Sequence, residues 1–297
     1  MVLKKIPSAF SIIVGPTANT EGVYFEGFYW KNAITGTGGF YPRTLEDLVK
    51  YYPLAIKIVE REIGDLDKAV SISLPTQTFV SDYKSGGKLI DRLKLDIKKE
   101  TGKDIEVLPQ GLIALEEIYA QGHLKKSGFT MVIDGGFNTV NVALVDEEDN
   151  VIYVKSYYDE FGIRNLLENF FAPLLSNRFP DITLNLQFLK RAFLKKHIDI
   201  ELNRISIEEE VNLSIQGFIP YLFEAIKGDL RRLRLDFDQF AIIGGLSYYI
   251  PASSIETNKP FFIPEKEGEF YTVKGMNRAT DLNSIDFGFG DIKILKK

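Results

Sequence analysis

Val132–Val145, VIDGGFNTVNVALV, carries an apolar strand into Asp134, two glycines, and a second strand that opens at Thr139 and alternates Val140, Val142 and Leu144 against Asn141 and Ala143. The pattern predicts a hairpin closed by a glycine turn. Gly135 and Gly136 let backbone N–H groups approach an anion with no Cβ in the way, and Asp134 at the strand end is placed to hold a hydrated cation. Strand-Asp-Gly-Gly-strand is also an ordinary hairpin that binds nothing, so this stretch alone leaves both readings open.

A second copy of the pattern stands at the far end of the chain. Ser284–Leu295, SIDFGFGDIKIL, again has an apolar entry, then Asp286, Gly288 and Gly290 in a tight turn, and an outgoing strand with Lys293. Two such hairpins can face each other across one nucleotide. The turns would clasp its phosphates, the two aspartates would hold Mg²⁺ mostly through water, and Lys293 would bring a point charge to the β/γ-phosphates.

Composition narrows the chemistry. The chain has 297 residues, enough for one large core or two medium ones, and its 45% hydrophobic and 26% charged residues describe an ordinary globular protein. A net charge of −5 argues against a general nucleic-acid-binding surface. No apolar run reaches the length of a membrane span and Met1–Pro7 lacks the shape of a secretory signal, so no membrane partner and a cytoplasmic location are expected. With no cysteine, and only His123 and His197 as imidazoles, disulfides, thiolate metal sites and a His-based triad are disfavoured.

Along the chain, residues 3–14 and 22–30 read as strands, with turn material at Gly15–Thr20 and Gly36–Gly39. Tyr24, Phe25, Phe28, Tyr29 and Trp30 form an aromatic cluster better suited to a sheet core than to stacking on bases. Thr44 and Asp47 make a capping box before a helix that must bend near Pro53. Lys68–Leu74 is a short buried strand, Lys88–Lys99 a helix closed at Gly102, and Asp104–Leu108 a strand stopped by Pro109. Pro109–Ala120 is expected as a helix with Gln110 in its first turn, a good position for orienting a water and an equally good one for capping the helix itself. Gln121–Ser127 is the best boundary candidate. Beyond the organising hairpin come a strand at Val151–Tyr157, a helix at Ile163–Leu175, a connection at Arg178–Leu184 and a stretch at Leu189–Arg204 that resists assignment. Ile207–Leu235 is the longest helical run, kinked at Pro220. Phe237–Ile243 then leads into Gly244-Gly245-Leu246-Ser247, where a turn or helix start can meet a flat ligand.

Together these residues resemble the actin-like ATPase superfamily and, within it, the ParM-type plasmid-segregation actins. The family's phosphate hairpin D-x-G-x-G-x-x-K is matched by Asp286, Gly288, Gly290 and Lys293, with Phe289 inside the turn. Its second hairpin, D-x-G-x-x-T, is matched by Asp134, Gly136 and Thr139, with Gly135, Phe137 and Asn138 completing it. The helix carrying the catalytic Gln or Glu is matched by PQGLIALEEI with Gln110, and the nucleoside-binding glycine pair by Gly244 and Gly245, followed by Leu246. Leu74-Pro75, the pair Tyr83 and Lys84, and VKGM at Val273–Met276 also look like this subfamily. Asn141 and Asp291 depart from the pattern around the turns, and neither is carried over as a ligand.

One departure is large: the hairpin that opens the chain in the family closes it here, while the order of everything else is kept. The simplest account is a circular permutation, with the break between Asp291–Lys297 and Val2–Phe10 and with Asn277–Ser284 as the new connection. The resemblance implies an α/β, actin-like (ribonuclease H-like) two-lobed fold, circularly permuted, with the nucleotide in a cleft between lobes. Lobe I is expected at 1–124 plus 275–297 and lobe II at 125–274. It implies ATP (or GTP) with Mg²⁺ held by Asp134 and Asp286 through water, Gln110 orienting the attacking water, polymerisation of the chain into filaments, and a DNA-bound adaptor as partner with no direct DNA contact. The rivals are a non-polymerising relative on the same fold, whether ATPase, kinase or scaffold, and a nucleotide-binding interaction protein with little hydrolysis.

Overall fold

Apolar alternation and glycine or proline breaks divide the chain into short elements, and the computed structural model describes them over residues 1–33, 39–40 and 42–297. In chain order these are β1 (Val2–Pro7), β2 (Phe10–Ile13), α1 (Ala18–Glu21), β3 (Val23–Phe25), β4 (Phe28–Asn32), α2 (Leu45–Ile63), β5 (Ala69–Pro75), α3 (Thr76–Lys84), α4 (Lys88–Thr101), β6 (Asp104–Gln110) and α5 (Ala114–Ala120). There follow β7 (Thr130–Gly135), β8 (Thr139–Val145), β9 (Val151–Tyr158), a helical run of α6 (Ile163–Asn165), a π-helical segment Leu166–Phe171 and α7 (Ala172–Arg178), then α8 (Leu186–Lys195), β10 (His197–Ile200) and β11 (Asn203–Ser206). The chain closes with α9 (Glu208–Arg232), β12 (Gln239–Ile243), β13 (Phe261–Phe262), α10 (Tyr271–Thr280), β14 (Asn283–Phe287) and β15 (Asp291–Lys296).

The chain divides into two units, Met1–Ala120 with Phe270–Lys297, and Gln121–Glu269. The first holds a five-stranded sheet of order β1-β15-β14-β5-β6 and a three-stranded sheet β2-β4-β3; the second holds a five-stranded sheet β13-β12-β7-β8-β9 and the hairpin β10-β11. Both five-stranded sheets follow one plan. In each, an antiparallel meander (β14-β15-β1; β7-β8-β9) is extended by parallel strands (β5 and β6; β12 and β13) on the side of its first strand. That first strand is thereby buried among neighbours on both edges, and it is the one that delivers an aspartate, Asp286 or Asp134, at its end. The first unit's core gathers Tyr52, Leu54, Ile72, Leu93 and Ile285; the second's gathers Ile133, Val142, Phe171, Phe218 and Ile242.

Several boundaries differ from the expected ones for local reasons. Residues 3–14 are two strands in two sheets, because Pro7 ends the ladder with β15 and the chain turns at Ser8, whose N–H goes to Gly290 O at 3.0 Å. Residues 22–30 form a hairpin instead of one strand, turning on Glu26 (φ 48°) and Gly27 (φ 85°). Its aromatics are split: Phe25 and Trp30 are buried, Tyr24 and Phe28 exposed. Within the turn expected over Gly15–Thr20 a single helical turn begins, Ala18–Glu21; of the turn expected over Gly36–Gly39, Gly36–Gly38 lie outside the described residues.

The consequential correction concerns Gln110. Pro109 does not stop β6, which pairs with β5 as far as Pro75↔Gln110, and the helix begins only at Ala114. β6 is the edge of its sheet, where a residue lacking an N–H on the outward side removes no ladder bond. Gln110 therefore ends a strand, and Gly111 (φ 76°) makes the turn that follows. Asn277–Ser284 comprises the end of α10, which runs to Thr280, a turn at Asp281 (φ 58°) and Leu282, and the start of β14 at Asn283. The helix at Ile163 continues to Arg178 through its π-helical segment, and the unassigned 189–204 is the end of α8 followed by the β10-β11 hairpin. The Thr44–Asp47 capping box, Pro53 inside α2 and the Gly102 cap of α4 are as expected.

VKGM has a packing reason. Gly275 lets α10 lie against the turn after Gln110: a Cβ there would sit 2.0 Å from Ile113 O and 2.9 Å from Ala114 Cα, both backbone-borne. Thr272 Oγ1 accepts the Gly111 N–H at 3.3 Å. Gly275→Ala is expected to lower the unfolding free energy by about 1–3 kcal/mol, read from urea denaturation.

In the second unit, the edge strand β9 presents Tyr153, Lys155 and Tyr157 on one face, and all three donate to Asp229 Oδ2 of α9, at 3.3, 2.5 and 2.7 Å. Burial pulls the Asp229 pKa upward, but the hydrogen bonds from Lys155 and Tyr157 and the Lys155 charge outweigh it and hold the carboxyl below its ordinary 3.8. A depressed carboxylate stabilises the folded state fully above the unfolded value and loses that contribution as pH falls through the folded value. Acid unfolding below about pH 4 is thus expected to be shallower in Asp229→Asn than in the wild type, with the variant the less stable at pH 7, as followed by circular dichroism.

Candidate functional site

In the first unit, the site grows from the cross-strand pair Asp286↔Lys293. Directly opposed residues project from the same face of a sheet, so Lys293 Nζ comes within 3.5 Å of Asp286 Oδ2. Asp286 is 2% exposed, and a carboxylate so placed needs further donors. Ser73 Oγ donates to its Oδ1 at 2.5 Å, and Gln110 Nε2 donates to the same atom at 2.8 Å. Because a carboxylate only accepts, this bond sets the Gln110 amide with Nε2 toward Asp286 and Oε1 as its remaining acceptor. Three strand ends, β5, β6 and β14, thus converge on one carboxylate.

The turn beside it is closed by Gly288 N–H donating to Asp291 O at 3.1 Å. Ser8 clasps the turn from the end of β1, its hydroxyl donating to Gly288 O at 2.5 Å while its N–H holds Gly290 O. A Cβ at Gly288 would lie 3.1 Å from Lys293 Nζ, so glycine there makes room for the lysine; at Gly290 a Cβ would meet nothing within 4 Å. The Gly288 N–H is committed to the hairpin.

The second unit repeats the device. Gly136 N–H donates to Thr139 O at 2.7 Å, the same three-residue closure, so Asp134-Gly135-Gly136-Phe137-Asn138-Thr139 matches Asp286-Phe287-Gly288-Phe289-Gly290-Asp291 position by position. Here the glycines make room for close packing. A Cβ on Gly135 would fall 2.3 Å from Leu246 Cβ, and one on Gly244 would fall 2.4 Å from Asp134 Oδ1 and 2.6 Å from Gly135 O. Gly244 also has φ 78°, a left-handed conformation that favours glycine. Gly245 is looser, with Ile163 Cδ1 as its nearest neighbour at 3.2 Å. The second hairpin and the glycine pair are therefore one assembly.

Its outer carbonyls are held by the start of the helical run: Ile163 N–H reaches Gly136 O at 3.1 Å, Arg164 N–H reaches Phe137 O at 3.0 Å, and Asp159 N–H reaches Asn138 O at 2.7 Å. Asn138 Oδ1 is buried with no hydrogen-bond partner among the described residues. Lys190 Nζ lies 4.9 Å from the centre of the Phe137 ring. His123 stacks on Phe262 and His197 bonds its ring nitrogen to Lys195 O; neither joins these clusters.

Several participants were passed over in the sequence. Ser73 and Tyr52 stand behind Asp286, Ser8 behind the 288–290 turn, Gly162 behind Phe137 (a Cβ would lie 2.4 Å from Phe137 O) and Gly268 behind Ser247 (1.9 Å from its Oγ). The one visible signal was AVSISLP, a buried strand whose alternate serines need partners.

No family model matches the chain and no curated protein matches it. Solved structures do. Ta0583, an archaeal actin homolog, aligns over 93% of this chain and 92% of its own with TM-score 0.65 and 14% identity, and its complex with ADP aligns over the same shares with TM-score 0.60 and 15% identity. The actin-like protein Alp7A covers 92% of this chain and 89% of its own, with TM-score 0.61 and 11% identity. A 15-stranded ParM filament from Clostridium botulinum covers 91% and 90%, with TM-score 0.55 and 16% identity. Over nine-tenths of its length, then, and with two sheets built to one plan, this chain has the actin-like fold.

Proposed function

We propose that the chain is a nucleotide-dependent, polymerising actin-like protein that binds and hydrolyses ATP, or GTP, with Mg²⁺. The observation that carries this reading is the convergence of Gln110, Ser73 and Lys293 on the buried Asp286 beside a glycine turn. In this reading the N–H groups of Phe289 and Gly290 from one turn, and of Phe137 and Asn138 from the other, would hold phosphate oxygens, Lys293 would supply a point charge, and Gly244, Gly245 and Leu246 would meet the nucleoside. The two units would be the two lobes.

A neutral amide is a poor proton acceptor, so Gln110 acts by position: anchored to Asp286 through Nε2, it offers Oε1 to an O–H of the attacking water. The residues fit a hydrated Mg²⁺. The described residues contain no cluster of three His, Cys, Asp or Glu that would form an all-protein cage, each turn is preceded by one aspartate, and the buried Asn138 Oδ1 is an acceptor that suits a water proton. Bound there by Asp134 and Asp286 through water, Mg²⁺ would neutralise charge developing on the phosphates.

Filament formation is supported by the likeness to a ParM filament, and a net charge of −5 supports a DNA-bound adaptor, in plasmid or DNA segregation, over direct contact with DNA. The circular permutation is supported by strand order: the hairpin β14-β15, last in the chain, lies between β1 and β5.

Phosphate release with Mg-ATP is expected from the wild type and to fall on the order of 10²-fold in Gln110→Ala with little change in nucleotide affinity. Gly244→Ala, whose Cβ would press on Asp134 and Gly135, is expected to weaken nucleotide binding instead, seen by fluorescence titration. Light scattering and electron microscopy with Mg-ATP, Mg-GTP and ADP test assembly; no filaments with any of the three would overturn the polymerising reading.

A further inference from the structure

We infer that Tyr52, on α2 and outside every motif named above, is a positioning residue for Asp286: its hydroxyl sets the opening between β5 and β14 from which Ser73 and Gln110 reach the carboxylate. The inference rests on the hydrolytic reading of this site and adds to it.

The ladder between β5 and β14 ends at Ile72↔Ile285, whereas β5 keeps its pairing with β6 through Pro75↔Gln110. The strands part at the residue before the carboxylate. Into that wedge goes the phenol of Tyr52, 1% exposed, with its ring edge-on to Phe287 at 5.2 Å. Its oxygen accepts the N–H of Ser73 and the N–H of Phe287, each at 3.2 Å, and its proton goes to Ser73 O at 2.9 Å, with Ile285 O at 3.3 Å. One donor and two acceptor sites are thereby all used. Burial, and after it the Asp286 charge, push the phenol pKa well above its ordinary value, so it keeps the proton it donates.

The two N–H groups it takes flank the site: one belongs to Ser73, whose Oγ holds Asp286 Oδ1 at 2.5 Å, the other to Phe287, which follows Asp286 and precedes the Gly288 turn. A hydroxyl-sized spacer between the strands therefore fixes where the Ser73 and Gln110 donors meet the carboxylate. Without it, the strands close or admit water, and Asp286 shifts relative to Gln110.

The same strands contain a control. Ser71 Oγ lies 2.8 Å from Ser284 Oγ, an equally buried bond between β5 and β14 but in their paired region, away from Asp286. Tyr52→Phe, Ser73→Ala and Ser71→Ala should each lower the melting temperature. Only Tyr52→Phe and Ser73→Ala should lower turnover at saturating Mg-ATP, by roughly 10- to 100-fold, while Ser71→Ala stays within about twofold. Turnover by Tyr52→Phe within twofold of wild type, or an equal loss in Ser71→Ala, overturns the positioning role. If Tyr52→Phe does not fold, Ser73→Ala against Ser71→Ala decides by the same criterion. A wild type that releases no phosphate overturns the hydrolytic reading itself, and the role of Tyr52 with it, which separates that failure from the other two.

Discussion

A carboxylate taken out of water must find its partners within the protein, and in the first unit this requirement organises the strand ends. Asp286 is satisfied by a lysine across the ladder, a serine from the parallel neighbour and an amide from the strand beyond. Each partner comes from a different strand, so β5, β6, β14 and β15 must end at matched heights. Removing one partner would leave a buried charge short of a donor, a larger penalty than the bond itself is worth.

The second unit reaches the same turn geometry by steric means. Where the 134–139 hairpin meets the 244–246 segment, Gly135 leaves the space that the Leu246 side chain fills and Gly244 lies against Asp134 and the Gly135 carbonyl, and the carbonyls of the turn are tied down by amides at 159, 163 and 164. One turn is held by a charge and its hydrogen bonds, the other by close packing at its glycines. Both end with Gly N–H closing onto the carbonyl three residues ahead.

Both hairpins were legible in the sequence because the signal was local: apolar alternation, Asp and paired glycines within fourteen residues. The glycine pair after β12, the capping box of α2 and most helices were legible for the same reason. What local pattern misplaced was decided by sheet topology. Proline before Gln110 reads as a helix start unless one knows that its strand is an edge, and residues 3–14 read as one strand unless one knows that Pro7 meets the end of a ladder. Ser8, Ser73 and Tyr52 lie 280, 213 and 235 positions from the residues they hold, Gly288, Asp286 and Phe287. No window along the chain connects them.

The contact between Gly135 and Leu246 has a reach beyond this molecule. The Leu246 side chain fills the space that a Cβ on Gly135 would need, so bulk at one position is bulk denied to the other. Chains built on this plan should vary at those two places in concert, a small residue facing a branched one or the reverse, so that redesign of either position begins with the choice made at its counterpart.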